Sequence, residues 1–397
     1  MKIKPSPFLL LCIMGGLAIF SSTMAKNPVL PLFIRSLEVP ISVVGFIAAA
    51  STLVGIVVSL PAGVLSDVIG RRRVILIAAV IFATAPFLYL LITAPWQLIT
   101  VRIYHGLATA ILGPVAMAAV ADTFDEKRGE RMGWYSSATM VGRYMAPFVG
   151  GALIFGDDFR WVFLATGTIG VLSLAAAFSL SLSKAPASSP GEPRKPERGD
   201  ILKDIIAVVA HRGILATSVI EAVQYFAFGC LEVFLPIYLH EQAGFSPLWI
   251  GLLFTVQILV ATLTKPIMGH LSDRYGRRPL ITAGLALGGI AMALITCWQQ
   301  YLVIVFLAGL FGLGLATVTA ASAALVADLS PPSRHGSALG VLASVMDIGH
   351  ATGPMVGGLL IAVYNYSTAF GIVGAGVIVV GLVFWPFTRG IPTASKK

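Results

Sequence analysis

Long apolar runs separated by short polar segments follow one another along the whole chain. Each run is long enough for a helix of about 20 residues, which crosses the roughly 30 Å hydrocarbon core of a bilayer. Because lipid offers no hydrogen-bond partners to the backbone, such runs must be helical. Twelve spans are predicted, at about residues 8–34, 41–65, 74–94, 96–121, 132–155, 161–183, 212–239, 247–271, 279–297, 302–327, 337–363 and 368–387. The pattern therefore predicts an all-α polytopic membrane protein.

Composition and charge agree with this interpretation. Of the 397 residues, 57% are hydrophobic and only 11% are charged, against about 25% charged in an average soluble domain. The net charge of +9 has a topological cause, since 21 of the 27 Lys and Arg residues fall in segments predicted to be cytoplasmic. Only Arg35 and Arg160 fall on the opposite side. The positive-inside rule then places both termini in the cytoplasm, and nucleic acid is not an expected partner.

No catalytic, metal-binding or cofactor-binding constellation is predicted. The three cysteines and six histidines stand at no metal-like spacing. We therefore expect neither an enzyme nor a bound cofactor or metal.

One charged phrase occurs twice. Residues 63–72 read GVLSDVIGRR and residues 269–278 read GHLSDRYGRR, 206 positions later. LPLFI at 30–34 matches LPIYL at 235–239, so the first apolar run is interpreted as a retained span rather than a signal peptide. The chain is thus predicted to comprise two halves, 1–183 and 212–397. A Pro- and Ser-rich cytoplasmic linker with a surface helix is predicted at 184–211. An even number of spans in each half makes the halves parallel repeats.

Spans five and eleven share a second pattern, G-x8-G-x3-[G/A]-P-x2-G-G. Small residues at this spacing let helix backbones approach closely, and Pro permits a bend. The pattern comprises Gly133, Gly142, Ala146, Pro147, Gly150 and Gly151 in span five, and Gly340, Gly349, Gly353, Pro354, Gly357 and Gly358 in span eleven.

These motifs resemble those of the major facilitator superfamily, whose signature loops lie between spans two and three and between spans eight and nine. The pattern of span five resembles the antiporter motif of the twelve-span drug:proton exporters. LITVRIYHGLATA at 98–110 resembles their Arg-containing motif, with Arg102 and Gly106 at key positions and His105 where Gln is more usual. The resemblance implies two pseudo-symmetric six-helix bundles. It also implies a secondary active, proton-coupled exporter of small amphipathic organic compounds that works by alternating access. Protons, a small-molecule substrate and membrane lipid are the expected partners of a monomer in a prokaryotic cytoplasmic membrane, with the proton gradient as energy source.

By the same resemblance, the repeated loops form a cytoplasmic gate that closes the inner face in the outward-facing state. Gly would allow close helix approach, and Asp would cap a neighbouring helix N-terminus. The Arg residue of each loop would pair near the Asp that ends span four or ten. The implied gate residues are Gly63, Asp67, Arg71, Asp122, Gly269, Asp273, Arg277 and Asp328.

Ionisable residues inside spans are costly and usually functional. A substrate and proton cavity is predicted from Lys26, Asn27, Arg102, Glu221, Gln224, Tyr225 and Glu232. A candidate proton relay consists of Arg143, Asp347 and His350, where Arg143 and His350 occupy equivalent positions of the two Gly/Pro patterns; buried structural pairs are the alternative. Glu232 is the predicted proton carrier, and a permanent ion pair with Lys26 is the alternative.

A second transport hypothesis stays open. The cations Lys26, Arg102 and Arg143 would also suit a proton-coupled symporter of an anionic nutrient or metabolite. A non-transporting receptor is disfavoured, because the chain has no sizeable soluble segment to carry a signal.

Overall fold

The computed structural model describes residues 6–123, 128–180, 206–331 and 334–388. Its named helices are α1 (Pro7–Met24), α2 (Val29–Ser36), α3 (Ile41–Ile69), α4 (Arg71–Tyr89), α5 (Pro95–Thr123), α6 (Arg128–Ala152), α7 (Arg160–Phe178), α8 (Arg212–Glu241), α9 (Pro247–Tyr275), α10 (Arg277–Leu294), α11 (Tyr301–Leu329), α12 (His335–Val363) and α13 (Tyr366–Thr388). Helices α1 and α2 together form predicted span one, and each later span corresponds to one helix. The prediction of helical spans is confirmed.

Ten helical segments of the described residues are long and apolar enough to cross a membrane, with α1 and α2 counted as one segment. The two further predicted spans correspond to α6 and α10. Both begin with arginine, and α6 is rich in Gly, Ser and Thr. Arginine lowers the hydropathy of both helices, and the small residues of α6 allow close helix packing.

The glycine before the arginine pair ends α3 and, in the second repeat, α9. Gly70 has a φ of 98° and Gly276 a φ of 94°, a left-handed conformation that glycine adopts without steric cost. The repeated phrase therefore contains a glycine at this point because the chain turns sharply there between two helices. At Gly63 and Gly269, by contrast, an added Cβ would meet no atom within 4 Å among the described residues. The close helix approach expected at these two glycines is therefore wrong for this structure, because open space lies beside them in the described part of the chain.

The described residues form two compact units. Unit 1 comprises residues 6–40, 46–180 and 236–255, and unit 2 comprises residues 41–45, 206–235 and 256–388. Each unit is therefore mainly one predicted half. In addition, the start of α3 belongs to unit 2, and the end of α8 with the start of α9 belongs to unit 1.

The core of unit 1 lies between α1, α4, α5, α6 and α7. Its fully buried members include Leu11, Met14, Phe82 and Leu112. Buried hydroxyls also tie α1 to α7, since Ser21 Oγ donates to the Thr166 carbonyl at 3.0 Å. Apolar burial and a few satisfied polar groups thus hold this unit together.

In unit 2, glycines bring helices into close contact. A Cβ on Gly314 of α11 would lie 2.7 Å from the Gly284 carbonyl oxygen of α10. Residues 184–205 of the predicted linker lie outside the described residues. Residues 206–210 are helical, and Val208 is buried in a cluster with Ile214, Val326 and Ala338.

Candidate functional site

Arg71, the first residue of α4, joins three helix ends in unit 1. Its Nη2 lies 2.5 Å from Asp67 Oδ1 at the end of α3. Its Nε donates to Asp122 Oδ2 at the end of α5 at 2.9 Å, and its Nη1 donates to Ser66 Oγ. A planar guanidinium has enough donors in a fixed fork to hold all three acceptors at once.

Unit 2 repeats this cluster 206 residues later. Arg277 lies 2.6 Å from Asp273 and 3.1 Å from Asp328, and it donates to Ser272 Oγ at 2.6 Å. The structure thus brings each predicted gate arginine to both of its carboxylates. Sequence reasoning missed the serine, although LSD is identical in both copies of the phrase.

These clusters are weak ties. The side chains of Asp67 and Asp122, which bind Arg71, are 41% and 35% exposed. Exposed ion pairs contribute about 0–1 kcal/mol each to stability. The N-terminal capping role expected for Asp67 and Asp273 stays a prediction. A tie of this strength can be broken and re-formed within a working cycle.

A carboxylate and an imidazole meet in unit 2. Glu232 Oε2 of α8 lies 3.0 Å from His350 Nε2 of α12, with the side chains 12% and 16% exposed. The rings of Tyr225 and Phe228 lie 5.9 and 5.5 Å from the His350 ring. Sequence analysis assigned Glu232 to the cavity and His350 to the relay, and the structure makes them direct partners.

The Gly/Pro pattern of α12 explains why these two side chains meet. A Cβ on Gly349 or Gly353 would collide with backbone carbonyl oxygens of α8, and one on Gly357 would lie within 3.4 Å of Phe234. From the α8 side, a Cβ on Gly229 would lie 2.5 Å from the His350 carbonyl oxygen and 3.0 Å from its ring. The backbones therefore approach closely enough for His350 to reach Glu232. Asp347 lies one turn before His350 and is half-buried.

Arg102 is buried between α5 and α3 in unit 1. The side chain donates through Nη2 to the Ala48 carbonyl at 3.1 Å and to Ser51 Oγ, and the residue is only 4% exposed. Gly106, one turn later, makes room for α3, because a Cβ there would lie 2.8 Å from Ser51 Cα. Arg102 thus ties two helices of its own unit. His105 lies among aromatic rings, with its Nδ1 3.5 Å from the Tyr89 hydroxyl.

The other predicted cavity residues divide between the units. In unit 1, Asn27 is buried and Lys26 is half-buried, both in the segment between α1 and α2. In unit 2, Glu221 and Gln224 of α8 are buried, and Tyr225 is half-buried. Within the described residues no group of three His, Cys, Asp or Glu side chains could hold a metal ion.

An ion pair that sequence reasoning missed joins α2 to the end of α8 in unit 1. Arg35 Nε of α2 donates to Glu241 Oε1 of α8 at 2.7 Å, and Arg35 Nη1 donates to the Val39 carbonyl at 2.6 Å. The matched phrases at 30–34 and 235–239 are offset by 205, so the repeat relates Arg35 to His240 and gave no signal for its pairing with Glu241.

A family comparison matches nearly the whole chain. It agrees with the repeated loops, the paired Gly/Pro helices and the duplicated Asp–Arg–Asp clusters. Residues 11–248 and 217–397 match the sequence profile of the family described as Major Facilitator Superfamily. The chain belongs to the major facilitator superfamily.

Two relatives within the superfamily carry different names. The chain is 24% identical over 359 residues to "Multidrug resistance protein 2" of Bacillus subtilis (strain 168), which covers 89% of this chain and 88% of that protein. It is also 24% identical over 409 residues to "Riboflavin transporter RibZ" of Clostridioides difficile (strain 630), with 89% and 87% covered. The crystal structure of the nucleoside transporter NupG superposes with a TM-score of 0.82 at 14% identity, covering 97% of this chain and all of that one. At this identity the likeness shows the fold.

Membership of the superfamily decides the class of activity. The chain is an integral membrane protein and a secondary transporter of a small-molecule substrate, and it is not an enzyme. The predicted major facilitator fold is confirmed.

Proposed function

We propose that this major facilitator protein is a proton-coupled exporter of small amphipathic organic compounds. It would work by alternating access as a monomer in a prokaryotic cytoplasmic membrane, with both termini in the cytoplasm. The observation that carries the proposal is the pair formed by Glu232 and His350, a protonatable site inside an apolar bundle. The similarity to a protein named for multidrug resistance supports export as its use.

The pair has the properties that coupling requires. Apolar burial favours the neutral form of a carboxyl group, and a nearby cation favours its charged form. Glu232 and His350 lie 3.0 Å apart, so a proton bound by either one changes the charge of the pair. An antiporter needs proton binding and substrate binding to exclude each other. In our proposal, a proton taken up from the outside by this pair leads to release of the substrate, and its loss to the cytoplasm restores the site.

The remaining predicted residues have proposed roles around this pair. Asp347, one turn from His350 on α12, is the proposed next proton acceptor. Lys26, Asn27, Arg102, Glu221, Gln224 and Tyr225 are proposed cavity residues. The Asp–Arg–Asp clusters at Arg71 and Arg277, with Gly63 and Gly269, are the proposed cytoplasmic gate. Their modest strength suits a gate that opens in each cycle.

Import of an anionic nutrient or metabolite together with protons is the second candidate. The chain is as similar to a protein named as a riboflavin transporter, at 24% identity, as it is to the multidrug resistance protein, and this similarity supports a nutrient as the substrate. In symport the proton and the substrate would occupy the site together rather than in turn.

Purified protein in liposomes with a pH-sensitive dye inside separates these two functions. Ethidium, riboflavin and 2-naphthoate serve as probes, each with an imposed pH gradient. For an exporter, protons and probe move in opposite directions, and the Glu232→Gln variant binds probe but no longer responds to the gradient. The Asp157→Asn variant, which neutralises an exposed carboxylate in the loop after α6, serves as the control and keeps wild-type coupling. Movement of both species in one direction would instead establish symport, and gradient-driven transport by Glu232→Gln at the wild-type rate would remove Glu232 from the mechanism.

A further inference from the structure

Arg143 of α6 is an exposed arginine near the middle of a membrane helix. It lies nine residues before Ala152, or about 14 Å from the outer end of α6 at about 1.5 Å per residue. Among the described residues it has no ion-pair or hydrogen-bond partner. A guanidinium at this depth is costly unless it faces water or a ligand. Its surroundings therefore decide its role.

The contacts of α6 show which way Arg143 faces. With about 100° between successive residues, we measure directions around the helix from Gly142. Gly142 contacts α1, because a Cβ there would lie 2.6 Å from the Gly16 carbonyl oxygen. Gly150 lies at about 80° and also contacts the end of α1. A Cβ on Gly150 would lie 2.9 Å from the Met24 carbonyl oxygen. One sector of α6 thus packs on α1.

A second sector of α6 packs on the start of α9. Cβ atoms on Gly151 and Gly251 would collide with the carbonyl oxygens of Pro247 and Pro147 respectively. On α6, Pro147 and Gly151 lie at about 140° and 180°. Arg143, at about 100°, therefore lies between the sector of α6 that packs on α1 and the sector that packs on α9.

The lipid-facing side of α6 is elsewhere. Its exposed apolar side chains Trp134, Val141 and Met145 cluster at about 260–300°. That direction is opposite Arg143. The exposure of Arg143 is consequently exposure to the gap between α1 and α9, within unit 1, and not to lipid.

The repeat shows that this arrangement is particular to unit 1. Arg143 occupies the position of His350 in the two Gly/Pro patterns, at an offset of 207. In unit 2 the imidazole of His350 binds the carboxylate of Glu232, whereas Arg143 binds no side chain among the described residues of unit 1.

We infer that Arg143 is the specificity-determining residue for the substrate, and that it binds an acidic group. The inference rests on the proposed transport function and narrows its substrates to amphipathic compounds with a carboxylate or a similar oxyanion. A guanidinium binds such a group through two parallel N–H donors. The apolar part of the compound would then lie along α1 and α9.

Binding to the full chain without any pH gradient tests the inference apart from transport. The probes are 2-naphthoate, indole-3-acetate and naphthalene-2-sulfonate, each compared with its uncharged primary amide. Affinity is taken from the rise of the thermal midpoint with probe concentration. We expect the acids to bind the wild type about tenfold or more tightly than the amides, the scale of a charge-assisted hydrogen bond.

Three variants complete the test. Arg143→Gln should bind acid and amide equally, and Arg143→Lys, which keeps the charge but loses the fork, should retain part of the preference. Arg160→Gln, which removes an exposed arginine at the start of α7, should behave as wild type. If Arg143→Gln does not fold, the partial loss in Arg143→Lys decides.

The inference is overturned if the wild type does not prefer acids, if either Arg143 variant keeps the full preference, or if Arg160→Gln loses it equally. A chain that prefers acids but moves no protons would leave the Arg143 assignment intact and refute proton coupling.

Discussion

Replacing Gly229 by alanine perturbs the Glu232–His350 pair while leaving both of its residues in place. The added Cβ would lie 2.5 Å from the His350 carbonyl oxygen and 3.0 Å from the imidazole ring and from Pro354 Cδ. An ordinary contact needs about 3.4 Å, so α8 and α12 must separate locally by about 0.9 Å. Backbone atoms on one side and a proline ring on the other leave little room for adjustment.

The separation is large enough to break the pair. Added to the 3.0 Å between Glu232 Oε2 and His350 Nε2, it exceeds the roughly 3.2 Å upper limit of a good N–H···O hydrogen bond. Overpacking of this kind costs about 1–3 kcal/mol of stability. We expect Gly229→Ala to lower the thermal midpoint and to uncouple transport from the pH gradient.

Gly340→Ala is the matched control. It makes the same change in α12, at a glycine where a Cβ would meet no atom within 4 Å among the described residues. Thermal unfolding of the purified proteins and gradient-driven transport in liposomes measure the two effects. Wild-type coupling in Gly229→Ala, or equal damage from Gly340→Ala, would refute the link between close helix packing and proton coupling.

Three more outcomes are expected. Asp67→Asn should abolish most transport while barely changing the thermal midpoint, because an exposed pair with Arg71 contributes at most about 1 kcal/mol; a normal transport rate would remove Asp67 from the gate. Arg102→Ala should lose coupled transport and Arg102→Lys should keep part of it, since lysine keeps the charge but not the fork; equal, wild-type activity in both would make Arg102 a packing residue. Reversing the charge of Arg35 or of Glu241 should slow transport and exchanging the two should restore it, as measured by initial rates; a double variant no faster than the single ones would show that the pair is not coupled.

The sequence predicted what depends on local pattern. Apolar runs defined the helical spans, because their length and composition are set by the bilayer. The repeated phrase also pointed to the loops in which Arg71 now lies beside Asp122.

Contacts between distant helices could not be predicted in this way. Glu232 and His350 are 118 residues apart. Several glycines together allow α8 and α12 to pack closely, and they determine which faces of the two helices meet. Sequence reasoning therefore compared Glu232 with cations at equal depth and did not find its imidazole partner. The direction of Arg143 posed the same difficulty, because it follows from where two other helices pack.

The ion pair between Arg35 and Glu241 bears on the history of the chain. LPLFI at 30–34 matches LPIYL at 235–239 at an offset of 205, so His240 is the equivalent of Arg35 and Ser36 is the equivalent of Glu241. The reciprocal contact of the repeat would therefore join His240 to Ser36, and serine carries no charge to complete an ion pair. Arg35 and Glu241 contact each other at 2.7 Å as a pair that only one of the two reciprocal positions can form. The two halves have thus diverged at this contact.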